Sequence, residues 1–269
     1  MLPLTSPPSV TLVRAVPSSN LQIRSFACTD VGRRRSSNQD AYLCDDELGV
    51  WMVADGMGGH TGGEVASREA TSITQSMLKR EQATLMPNSS RESNRAAARR
   101  AMERAVQGAT YIIYAMGEVD TRLSGMGTTL SILMRWEDLL ILGHVGDSRI
   151  YRLREGEVEQ LSEDHTLVAW QVKKGVLTEE QARRSRKRNV ITRAVGNRDH
   201  VEVDTDLITY QAGDVFLLCS DGLHGYLEGD ELPELLQLPS QAAVEHLVAL
   251  ANERGGRDNI TALVLDVSG

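Results

Sequence analysis

Apolar residues are grouped along the chain in two different rhythms. Leu21 to Ala27 alternates well enough for a strand, and Val50 to Ala54 is a short apolar run ending at Asp55, which predicts a buried strand. A glycine-rich turn, Gly56 to Gly63, follows. From Glu64 to about Gln82 the period becomes helical, Pro87, Asn88 and Ser89 interrupt it, and Arg91 to about Glu118 reads as a second long helix rich in Ala, Arg and Met. Strands are then predicted at Thr129 to Trp136 and Leu139 to Val145, joined by a hairpin at Glu137-Asp138. A second hairpin at Glu155-Gly156 joins Arg149 to Leu153 with Val158 to Leu161. Leu167 to Gln181 has a polar helical pattern, followed by the basic cluster Arg183 to Arg188. Strands at Asp206 to Tyr210 and Val215 to Cys219, helices at Leu232 to Leu236 and Ala242 to Glu253, and a last strand at Ile260 to Val267 complete the pattern.

Helices come in pairs and strands in hairpins, so the order argues against a parallel βαβ arrangement. It predicts an α+β fold: a central antiparallel β-sandwich with antiparallel helix pairs packed outside, in α-β-β-α layers. No internal repeat is evident. Residues 1–20, with four prolines and several serines, read as a flexible leader, and 21–269 as one domain.

Composition narrows the chemistry. Hydrophobic residues make up 41% and charged residues 25%, enough for a soluble globular core. The formal net charge of −8 disfavours nucleic acid and anionic membranes as partners. Cys28, Cys44 and Cys219 are odd in number and show no C-x-x-C spacing, which argues against a disulfide framework or zinc site and fits a reducing cytoplasm. No apolar run reaches the length of about 18 residues that a membrane-spanning helix needs.

The informative pattern is where aspartates fall. Asp55 follows one apolar run, Asp147 follows Leu139 to Val145, Asp221 follows Val215 to Cys219, Asp258 precedes the last strand, and Asp40 precedes Ala41-Tyr42-Leu43. A single strand-end aspartate is ordinarily a turn former or cap. Several at one edge of a sheet would repel one another unless a cation sat between them. Oxygen ligands select hard divalent ions such as Mg²⁺ or Mn²⁺. In Asp55-Gly56-Met57-Gly58-Gly59-His60 the glycines let backbone approach a ligand, so the Gly56 carbonyl is a further candidate ligand.

Taken in order, these segments resemble the metal-dependent protein phosphatases (the type 2C serine/threonine phosphatases), particularly the bacterial branch. The resemblance is carried by Thr29-Asp30-Val31-Gly32-Arg33-Arg34-Arg35-Ser36-Ser37-Asn38-Gln39-Asp40, Ala54-Asp55-Gly56-Met57-Gly58-Gly59-His60 and Gly125-Met126-Gly127-Thr128-Thr129. It continues through Gly143-His144-Val145-Gly146-Asp147-Ser148-Arg149, Leu161-Ser162-Glu163-Asp164-His165-Thr166, Cys219-Ser220-Asp221-Gly222 and Arg257-Asp258-Asn259-Ile260-Thr261. It implies hydrolysis of phosphoserine and phosphothreonine by water activated between two Mn²⁺ or Mg²⁺ ions, with a third, weaker ion beside them. Asp55 would bridge the two ions with the Gly56 carbonyl on one, Asp221 and Asp258 would complete the other's shell, and Asp40 would act beside them. Asp147, with Asp221, would take the third ion, and Arg35 would hold the substrate phosphate. The resemblance further implies phosphoprotein substrates, a partner kinase in bacterial signalling, a monomer, and a flap at about 163–195 beside the site.

Two positions depart from the family pattern. Gln39 stands where many eukaryotic relatives carry Glu, and Met57 where some carry a histidine proposed as general acid; His60 nearby reads first as a structural loop residue and second as an acid or phosphate-orienting group. Cys219, Thr128, Thr129 and His144 read as structural; Asp30 reads either as a hydrogen-bond partner near Arg35 or as a turn cap, with the turn favoured. The run Arg183-Arg184-Ser185-Arg186-Lys187-Arg188 reads either as a solvated face or as a contact for acidic substrate segments. A catalytically dead scaffold should have lost acids that are present here, and a nuclease-type hydrolase should carry basic-aromatic stretches that are missing.

Overall fold

A computed structural model of the chain describes residues 21–59, 61–84, 91–228 and 231–269. The leader, the break at Pro87-Asn88-Ser89 and His60 lie outside the described residues. The elements run β1 (Gln22–Asp30), β2 (Asp40–Asp45), β3 (Val50–Met57), α1 (Gly62–Thr84), α2 (Arg91–Val119), β4 (Gly127–Thr128), β5 (Leu130–Trp136), β6 (Leu139–Val145), β7 (Arg149–Arg154) and β8 (Glu157–Gln160). They continue α3 (Leu167–Lys173), α4 (Glu179–Arg184), β9 (Asp204–Thr209), β10 (Val215–Cys219), α5 (Asp221–His224), α6 (Leu232–Leu236), α7 (Ser240–Glu253) and β11 (Ile260–Ser268). One sheet has the order β1-β11-β10-β7-β8 and the other β2-β3-β5-β6-β9, with β4 on β3; the pairings are antiparallel.

The strand period explains the layers. In β3, Trp51 and Val53 face the space between the sheets, while Val50, Met52 and Ala54 face α1 and α2. In β11, Leu263, Leu265 and Val267 fill the inter-sheet core, and Ile260, Ala262 and Val264 pack with Val244, Leu247 and Val248 of α7. These strands are covered on both faces, so they read as unbroken apolar runs rather than as apolar/polar alternation. The α-β-β-α sandwich expected from the order of elements is the observed architecture.

Two local expectations need correction. Leu167 to Gln181 is not one helix: α3 stops at Lys173, Gly175 turns with φ +69°, and Thr178 with Gln181 forms a capping box that starts α4. The strand before Asp55 does not end at Ala54 but runs to Met57, because Gly56 and Met57 pair with Thr128 and Gly127.

Candidate metal centre

Two connections that cross between the sheets meet at one end of the sandwich with the end of β10 and the start of β11. Residues 31–39 lead from β1 to β2, Gly146-Asp147-Ser148 leads from β6 to β7, and β10 passes through Ser220 into α5 at Asp221. Asp40 and Asp55 are direct cross-strand partners. Asp258 stands just before β11, whose neighbours in the sheet are β1 and β10. The fold therefore gathers Asp40, Asp55, Asp147, Asp221 and Asp258 at one rim, where Asp40, Asp55, Asp147 and Asp221 each feel the charge of others in the group.

The backbone of Asp55 is held from two sides. Thr129 Oγ1 accepts its N–H at 2.8 Å, and its carbonyl accepts the Thr128 hydroxyl at 2.9 Å and the Thr129 N–H at 2.9 Å. Thr128 and Thr129 thus act structurally, as anticipated. Gly56 is required by packing: a Cβ there would come within 2.0 Å of the Gly63 carbonyl oxygen and 2.6 Å of that of Gln39. The Gln39 carbonyl accepts the Gly56 N–H at 3.0 Å, and its side chain lies against Gly63.

Asp40 is oriented by its surroundings. Its Oδ2 accepts the Thr261 hydroxyl at 2.6 Å and the Ser220 hydroxyl at 2.8 Å, and Thr261 in turn meets Thr29 at 2.8 Å. Its Oδ1 is buried with no hydrogen-bond partner among the described residues. Burial pushes the Asp40 carboxyl well above the usual range, against the two hydroxyls, and the Asp221 and Asp258 charges push the same way. Asp55 is raised well above its ordinary range too, by burial first and then by Asp40, Asp221, Asp147 and Asp258. Burial, with Asp221 and Asp164, raises Asp147 to about 7, and burial followed by the Asp258 charge raises Asp221, within hydrogen-bonding reach of Asp55. A buried, mutually repelling set of carboxylates with an orphaned oxygen is a cation site in chemical terms.

Among the described residues no three His, Cys or acidic side chains close around one point. The candidate donors are carboxylate oxygens and the Gly56 carbonyl, an all-oxygen set. That is the habit of Mg²⁺ and Mn²⁺, which keep several waters, and not of zinc.

Arg35 overhangs the acids from the 31–39 loop, 49% exposed, with Nη2 2.7 Å from Asp258 Oδ2. His144 is buried, as expected of a core histidine: it meets Ser131 Oγ and the Gly146 carbonyl at 3.0 Å each. His224 donates to the Asp147 carbonyl at 2.8 Å. Cys219 is fully buried and its thiol is pushed up to about 12, so it is no nucleophile. Asp30 accepts the Gly32 N–H at 2.7 Å and an Asn252 amide hydrogen at 3.1 Å, a turn role. Both ends of the segment 163–195 are tied to the rim: His165 N–H donates to Gly146, and Val195 pairs with Thr128 beside Asp55.

Sequence reasoning missed the groups that orient these acids: Ser220 and Thr261 on Asp40, and Asn259 on the 31–39 loop. Each is adjacent to a motif acid or two residues beyond a motif asparagine, which is the only signal the sequence carries for them. A hydroxyl's target is a matter of tertiary placement.

Comparison with known proteins agrees with this geometry. Residues 31–263 match the family model described as protein phosphatase 2C. The chain is 35% identical over 247 residues to the serine/threonine phosphatase stp of Listeria innocua, covering 88% of this chain and 93% of that protein. It is 34% identical over 246 residues to the protein phosphatase PhpP of Streptococcus pneumoniae, covering 89% and 96%. The catalytic domain of PstP, solved in complex with two manganese ions, superposes with TM-score 0.77 at 34% identity, covering 93% of this chain and 100% of that one. The chain belongs to the protein phosphatase 2C family.

Proposed function

We propose that this protein removes phosphate from phosphoserine and phosphothreonine in protein substrates, with Asp55, Asp221 and Asp258 as the principal ligands of two divalent cations. Two Mn²⁺ or Mg²⁺ ions would supply the charge that lets the acids ionise and would activate water for in-line attack on phosphorus. The chain's own parts do the rest. Asp55, its backbone clasped by Thr128 and Thr129, and the Gly56 carbonyl would hold the ions. Asp40 is held at Oδ2 by two hydroxyls, which leaves Oδ1 to accept from a water in the shell. Asp147 with Asp221 would hold a third, weaker ion. Arg35, paired with Asp258 here, would chelate two oxygens of the substrate phosphate, which its planar fork suits.

The observation that carries this reading is the set of buried carboxylates Asp40, Asp55, Asp147 and Asp221, raised in pKa, with Asp40 Oδ1 left without a partner among the described residues, at the rim where Arg35 stands. We further place the protein in the cytoplasm, acting as a monomer on substrates of a Ser/Thr kinase that it reverses. The free cysteines and the lack, among the described residues, of any helix long and apolar enough to cross a membrane support that setting. Residues 21–269 would act as one phosphatase unit with 163–195 as its flap. The test is turnover of an aryl phosphate and a phosphopeptide with and without Mn²⁺, in the parent, Asp55→Asn and Asp221→Asn. Mn²⁺-dependent turnover that falls by about a thousandfold in both variants is expected. Turnover without metal, or full activity in both variants, refutes it.

A further inference from the structure

Asn259 sits between Asp258 and β11, 4% exposed, and its side-chain amide is spent on one loop. Its Oδ1 accepts the Gln39 N–H at 2.8 Å, and its Nδ2 donates to the carbonyls of Val31 and Ser37 at 2.9 Å each. One buried amide therefore pins both ends of the segment that carries Arg35. The backbone N–H of Asn259 donates to Asp258 Oδ1 at 2.9 Å, while Arg35 reaches the other oxygen of the same carboxylate. On its far side, the Asn259 carbonyl lies so close to Gly222 that a Cβ there would come within 1.9 Å of it. The Arg35 loop, Asp258 and the Asp221-Gly222 turn thus meet at a single side chain and its peptide.

We propose that Asn259 is the positioning residue for phosphate recognition: it holds the 31–39 loop so that Arg35 stands over the acidic rim, without itself touching substrate. The inference rests on the phosphate-binding role of Arg35 argued above. Arg35 is half exposed, and its ion pair is with Asp258, so its height above the site is set by the loop that bears it. Beyond Asn259 that loop is held near its start, through Arg33 N–H to the Gly256 carbonyl at 2.6 Å and Gly32 N–H to Asp30 at 2.7 Å. Loss of a core amide that only stabilised the fold would lower the folded fraction and with it the apparent kcat, and leave KM and phosphate inhibition unchanged. One that acts through Arg35 loses its effect when Arg35 is gone.

The experiment is a double-mutant cycle of Asn259→Ser and Arg35→Ala at saturating Mn²⁺. It reads kcat and KM for p-nitrophenyl phosphate, inhibition by inorganic phosphate, and hydrogen exchange of the 31–39 segment. Asn259→Ser is expected to raise KM and weaken phosphate inhibition about tenfold, with kcat within about threefold. Exchange in 31–39 should speed up in Asn259→Ser but not in Arg35→Ala, and the double variant should be no worse than Arg35→Ala. Multiplying effects in the double variant, or an unchanged KM in Asn259→Ser, overturn the proposal. An unchanged KM and phosphate inhibition in Arg35→Ala would instead remove the role of Arg35, and the inference with it. If Asn259→Ser does not melt cooperatively, the parent decides: the Gln39 amide, donated to Asn259, should exchange as slowly as those of β2, and fast exchange overturns the proposal.

Discussion

At Asp55, burial and function pull in opposite directions. The carboxylate is surrounded by other acids and raised far above its ordinary range, so without metal it either holds a proton or carries an uncompensated buried charge. Asp55→Asn should therefore stabilise the metal-free protein at pH 8 by roughly 1–2 kcal/mol while shrinking the rise in Tm that Mn²⁺ produces. Thermal melts in EDTA and in Mn²⁺ check both halves; a variant less stable than the parent in EDTA contradicts the electrostatic account. His144 offers a cleaner titration. Burial, then His165, lowers it to about 4 from an ordinary 6.5. Between those values the unfolded chain takes up a proton that the folded one refuses. Stability is then lost as pH falls through this window, by up to about 3 kcal/mol. Urea midpoints at pH 7 and pH 4.5 should drop less in His144→Gln than in the parent. At this scale the acids of the site were legible as residues at strand ends, whereas the buried state that perturbs them was not.

At the scale of elements, the site depends on backbone segments approaching more closely than side chains allow. Gly222 begins the turn of α5 directly against the Asn259 carbonyl, whereas Gly59 has open space where a Cβ would go. Gly222→Ala should cost roughly 1–3 kcal/mol, and Gly59→Ala nearly nothing. In a chain of this size that is a fall in Tm of about 5 °C for the first, measurable by calorimetry. Equal melting temperatures for the two variants would show that the close approach is not maintained. Strand and helix positions were largely readable, because apolar period and turn residues are local signals. The Leu167 to Gln181 segment was misread although Gly175 and Thr178-x-x-Gln181 mark a stop and a start, since its polar period spans both helices. The extension of β3 to Met57 had no local signal, because its partner β4 lies about seventy residues further along.

For the whole molecule, the sandwich sets which surface faces a protein substrate. The segment 163–195 is anchored at both ends on the rim, through His165 to Gly146 and Val195 to Thr128, and it carries the basic run. Arg184 pairs with Glu180 at 2.8 Å within its own helix, and Arg183 with Glu179 at 3.7 Å, but Arg186, Lys187 and Arg188 lie beyond α4 on the exposed face. Replacing these three with Ser should raise KM for an acidic phosphopeptide several-fold, as exposed charges acting together do, and leave an aryl phosphate unaffected. Equal effects on both substrates would make the run a solvated face only. The sequence by itself determined the α+β class, most of the element order and which acids stand as candidates. Hydrophobic period acts over a few residues, and a carboxylate's chemistry travels with it. Only the tertiary structure decided that Asp40 and Asp55 oppose each other, that Ser220, Thr261 and Asn259 orient the site, and that one oxygen of Asp40 is left without a partner among the described residues. Those facts depend on sheet register and on loops crossing between the sheets, where residues some two hundred positions apart come into contact, as with Asp40 and Thr261.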